Sequence, residues 1–220
     1  LLPFILRSIE SEQFDFFYLK KDGKERNGEK RRPRMVNSDE LFEKVNLYLT
    51  FMTSQVIRTS LVKKHIKDSA QFEGTYMMYF YIFLKCLEEA KKCLISGGRE
   101  IYLTPGNTGG YKFYNVWASG VLDVFNSSKF SQNVYHNRIF VLRLLIVLLL
   151  PVTYVNRFKN SNFSFNSEDP RNELNKYFAA GFYRRLLDLY LSAPYIILFP
   201  LHAVLRIMHR VWARLSGFVS

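Results

Sequence analysis

Cysteine is scarce in this chain. Cys86 and Cys93 are the two in 220 residues, which excludes a scaffold stapled by disulfides. They fall in one helix-like stretch with a spacing that puts both on one face about two turns apart, too far to bridge within a helix. Both read as buried thiols. Acidic residues are also few, 19 Asp and Glu against 31 Lys and Arg. Most of them fall in charged loops or helix starts, where solvation or capping accounts for them. The four histidines, His65, His136, His202 and His209, include no H-E-x-x-H pair, and neither cysteine lies in C-x-x-C, so the usual metal-ligand spacings are missing. There is no G-x-S-x-G. The glycine-rich stretch 106–110 resembles a phosphate-cradling loop only superficially, because no Lys-Ser or Lys-Thr follows Gly110. The sequence therefore points to no catalytic residue, no metal and no cofactor, and to a protein that is not an enzyme.

What is present is positive charge and aromatic surface. The formal net charge is +12, and aromatics make up 16% of the chain, with 20 Phe and 14 Tyr. A charge of that size implies an anionic partner: RNA, an anionic lipid surface or an acidic neighbouring subunit. Aromatics beyond the needs of a compact core favour protein contacts or the membrane–water interface. The chain starts at Leu1 rather than Met, as it would if a targeting segment had been cleaved from it.

Three regions follow. Residues 1–36 form an N-terminal arm: an aromatic run at 14–19, then a charge-dense loop with the turn dipeptides Asp22-Gly23 and Asn27-Gly28. The bases Lys30, Arg31, Arg32 and Arg34 in that loop are the candidate partner-binding residues, suited to an acidic subunit or to headgroups. Asp22, Glu25 and Glu29 among them argue against an RNA grip.

Residues 37–130 form a helical region. Asn37 with Glu40 makes a capping box, and Leu41, Phe42, Val45, Leu49, Met52, Val56 and Ile57 recur at helical spacing, predicting one amphipathic helix to about Ile66. A second helix is expected over 71–96, closed by Gly97-Gly98. Its run from Tyr76 to Leu84 is apolar on every face, as in a helix buried between neighbours. Residues 100–117 read as a short β-hairpin around the glycine-rich loop.

Residues 131–220 form a membrane-associated helical region. Residues 139–155, IFVLRLLIVLLLPVTYV, are close to the shortest apolar helix that crosses a bilayer. Arg143 is placed to snorkel, and Arg138, Tyr154 and Arg157 resemble interfacial anchors. Residues 189–205 carry no formal charge, but Pro194 and Pro200 make a kinked or turning segment more natural than a straight span. Beyond them, Leu201, Val204, Leu205, Met208, Trp212 and Leu215 suggest one apolar stripe. His202, Arg206, Arg210 and Arg214 recur every fourth position on another side, and are the candidate lipid-binding residues of a surface helix. Basic residues on both sides of the apolar segments assign no orientation.

The expected fold is thus mainly α, with a short hairpin and one or two C-terminal membrane-associated segments. The expected role is a non-catalytic accessory subunit of a large membrane complex, an organellar energy-converting one such as a respiratory-chain assembly. Its partners would be other subunits and anionic phospholipid, rather than nucleic acid. The mitochondrial inner membrane is favoured over a plastid membrane. The competing readings are a structural protein of an organellar ribosome or other ribonucleoprotein, and a membrane-anchored assembly factor.

Overall fold

The computed structural model describes residues 14–19, 33–50, 54–96, 112–158 and 170–215. Helices dominate these, around one small sheet of four strands: β1 (Phe16–Tyr18), β2 (Arg34–Val36), β3 (Gln55–Ile57) and β4 (Cys93–Ile95), in the order β2-β4-β1-β3. β1 pairs parallel with β4 and antiparallel with β3, and β2 pairs antiparallel with β4. Side chains alternate across a strand. Accordingly Phe16, Tyr18, Val36, Cys93 and Ile95 join the main core, while Phe14, Phe17, Leu19 and Leu94 form a separate cluster on the opposite face.

The first helix, Ser38–Val45, begins at the capping box. The Asn37 side chain accepts the Glu40 backbone N–H at 2.8 Å, and Glu40 in turn holds Arg34 and Lys44, each at 2.7 Å. The expected single helix to Ile66 does not form. Asn46 turns the chain with a φ of 51°, a region that asparagine tolerates better than most residues. A 3₁₀ segment, Asn46–Thr50, follows, and then the β-branched pair Val56-Ile57 enters β3. Helix resumes only at Thr59–His65.

The helix expected over 71–96 is likewise divided. Gly74 and Tyr76 both take positive φ, 83° and 61°, and the helix proper runs Met78–Glu89. Cys93 therefore sits on β4 while Cys86 sits on that helix, and both are buried and free. The expected hairpin does not form in the described residues. Residues 100–111 lie outside the described residues, but 113–117, read as its second strand, are helical and lead through π-helical turns at Asn115–Gly120 into the helix Val121–Asn126.

A continuous helix, Val134–Phe158, forms the centre of the fold, and by length and composition alone it could cross a membrane. Asn133 caps it, accepting the N–H groups of Tyr135 and His136. Its turns open to π geometry over Leu144–Leu149, just ahead of Pro151. A proline lacks the N–H and crowds the carbonyl one turn back, and a widened turn accommodates both defects. Residues 139–155 include no exposed position. Phe140, Leu144, Leu145 and Leu149 are wholly buried. Its own protein sheathes part of this helix: half of its most apolar window is buried, and the remaining positions of 139–155 are half-buried.

Much of the aromatic load is spent in that sheath. Phe42 stacks on Phe130 with ring centroids 4.3 Å apart, and Phe125 stacks on Phe140 at 4.0 Å. Such pairs add roughly 0.5–1.5 kcal/mol each beyond their burial.

Candidate functional site: the outer face of the C-terminal helix

The segment 189–205 does not form one kinked helix. Gly181–Ser192 ends one helix, Ala193 is extended as the residue before a proline tends to be, and a second helix begins after Pro194. That second helix is Tyr195–Leu215, 21 residues with Pro200 inside it.

One side of it is committed to the protein. Leu198 is wholly buried. His202 is also buried, with its ring parallel to that of Tyr154 at 4.3 Å and its Nδ1 3.2 Å from the Tyr190 hydroxyl. Leu201 and Leu205 pack against the core, and Trp212 lies 5.4 Å from the Arg143 guanidinium of the central helix. Tyr195 meets Phe158 edge-on at 5.3 Å.

The other side carries a second apolar stripe. Ile196, Val204, Ile207 and Val211 are exposed, from 84% at Ile196 to 48% at Val211. With Pro200 and Ala203 they recur at steps of three and four, which holds them on one helical side. Ile197, Phe199 and Met208 flank them and are also exposed. Arg206 and Arg210 are exposed at the edge of this stripe, and the helix contains no Asp or Glu.

The expected surface set is therefore split. His202 faces inward on aromatic rings, Arg206 and Arg210 face outward, and the side chain of Arg214 lies outside the described residues. The expected apolar stripe is split too, with Leu201, Leu205 and Trp212 turned to the protein and Val204 and Met208 turned away. Sequence reasoning missed Ile196, Ile207 and Val211. The available signal was the helical count itself, which yields two apolar sides for this segment rather than one.

In the basic arm, Lys30, Arg31 and Arg32 lie outside the described residues. Arg34 sits on β2 in its ion pair with Glu40. Elsewhere, His65 meets Glu89 at 3.0 Å and His136 meets Glu43 at 3.3 Å. Lys64 holds the Glu89 carboxyl below its ordinary range. Burial pushes both cysteine thiols up to about 12, so neither is a thiolate at neutral pH. Among the described residues no three His, Cys, Asp or Glu side chains cluster as metal ligands would.

Comparison with protein-family models, with curated proteins and with solved structures finds no match to this chain.

Proposed function

We propose that this protein is a non-catalytic accessory subunit of a membrane complex, held at the membrane surface by the outer face of its Tyr195–Leu215 helix. The exposed stripe of Ile196, Val204, Ile207 and Val211 supports this reading. A contiguous apolar face on a helix already docked by its opposite side is a surface awaiting a cover. Fully burying an aliphatic side chain of this size contributes about 1.5–3 kcal/mol. Several half-exposed ones together supply enough for reversible attachment, and the bordering arginines suit the polar side of an in-plane helix. The attachment proposed is in-plane rather than spanning, because the exposed apolar face belongs to a helix whose other side is docked on the protein.

Flotation of the full chain with lipid vesicles tests the reading. Wild type should rise with the vesicles, and the triple variant Val204→Asn, Ile207→Asn, Val211→Asn should stay at the bottom with an unchanged circular dichroism spectrum. Equal flotation of the two would remove the stripe as the anchor.

A further inference from the structure

Resting on the membrane-surface reading, we infer that the Tyr195–Leu215 helix recognises anionic phospholipid through one flank only, with Arg206 and Arg210 on the headgroup phosphates. At about 100° per residue, Arg206 and Arg210 lie about 100° and 60° to one side of Ile207, whereas Val204 and Met208 lie about 60° and 100° to the other. All five side chains are exposed. Over 204–211 the helix thus carries a basic margin and an apolar margin on either side of its outermost line, while one turn and more before it the exposed Phe199 lies on the arginine side.

The roll of the helix is not free to adjust. Leu198 is buried in the core, and His202 is clamped between the Tyr154 ring and the Tyr190 hydroxyl. The protein body therefore dictates which flank meets the headgroups. Arg206 and Arg210 stand one turn apart on the same side, a spacing at which two guanidiniums can reach adjacent phosphates.

Charge decides among the possible occupants. No carboxylate on the helix offsets the arginines, and the chain carries +12 overall. A second copy laid on the same stripe would bring these arginines and two bodies of like charge together, whereas an anionic bilayer complements both the stripe and its margin.

Full-length protein is floated with neutral phosphatidylcholine vesicles and with vesicles containing a third phosphatidylglycerol, as wild type and as Arg206→Gln, Arg210→Gln. Wild type should bind the anionic vesicles about thirtyfold more tightly than the double variant does, taking each arginine at the strength typical of a base near an anionic surface. On neutral vesicles the two proteins should be equal. Equal binding of wild type to both compositions, or no loss in the double variant, overturns the headgroup assignment while leaving apolar attachment standing. Binding to neither composition overturns the membrane reading and this inference together. A concentration-dependent dimer in sedimentation that Ile207→Asn abolishes would show a second copy to be the occupant, and overturns it as well.

Discussion

Asn37 and Asn46 bracket one short helix and do opposite work with the same side chain. Asn37 satisfies the Glu40 N–H that the helix start leaves open, and Asn46 ends the helix by taking a φ of 51°. Replacing Asn37 with Ala should lower stability by about 1 kcal/mol, seen as a lower urea midpoint at unchanged slope. Phe42, inside that helix, is wholly buried and stacks with Phe125, Phe130 and Phe140. Phe42→Ala should cost about 3–5 kcal/mol, several times the cap. The cysteines offer a separate check. With both thiols buried and shifted up to about 12, native protein should react with iodoacetamide at pH 7.5 far more slowly than protein in urea. Fast modification of the native chain would mean that the helix Met78–Glu89 or β4 is open in solution.

At the scale of elements, the Tyr195–Leu215 helix carries a group, His209, that ties its docking to pH in a testable way. His209, on its inner side, is held below the ordinary imidazole value of 6.5 first by burial and then by the positive charge of Arg143. The neutral ring is therefore the form the folded protein prefers. Above pH 6.5 the ring is neutral in both states and stability should be insensitive to this group; below it, stability falls as the unfolded chain takes up the proton first, until the folded value is reached. A urea midpoint that drops between pH 7.5 and 5.5, and drops less in His209→Asn, is the expected result. An identical drop in the variant would assign the effect elsewhere. Elements were legible in the sequence where the signal is local. The cap at Asn37 and the long apolar helix around 139–155 could be read from spacing and composition, whereas the run 76–84, expected to be buried on every side, leaves Tyr76 exposed ahead of the helix and Met78, Tyr79, Ile82 and Phe83 half-buried. β3 could not be read, because Val56 and Ile57 continue the helical count begun at Leu41 and only tertiary pairing makes them a strand. β4 pairs parallel with β1 across most of the N-terminal half, a register fixed by the packed helices between them rather than by any neighbour in sequence. The exposed stripe was hidden for a related reason: a helix with two apolar sides has no preferred face until one of them is docked.

Over the whole molecule, the question is what the excess of basic residues is for. On the described surface, several bases meet acids of the same chain. Arg58 meets Asp15, Lys64 meets Glu89, Lys85 meets Glu88, Lys176 meets Glu173 and Arg184 meets Asp188. Exposed pairs of this kind contribute little stability each, but they interrupt the basic surface with carboxylates. A nucleic-acid grip needs the reverse, a track of bases clear of like-signed repulsion toward phosphate, and its affinity falls steeply with salt as counterions are released. The outer face of the Tyr195–Leu215 helix has bases without acids, but it sets them beside Ile196, Ile207 and Val211 rather than beside one another in a long row. The proposed vesicle attachment through that face would combine an apolar part that salt does not weaken with a two-arginine part that salt screens. Attachment to anionic vesicles should therefore decline only modestly between 50 and 200 mM salt, whereas binding to single- or double-stranded RNA should be weak throughout. If RNA binds tightly at 150 mM salt with a steep log–log slope while vesicle flotation vanishes, the basic residues serve a ribonucleoprotein and the exposed stripe is covered by one of its proteins.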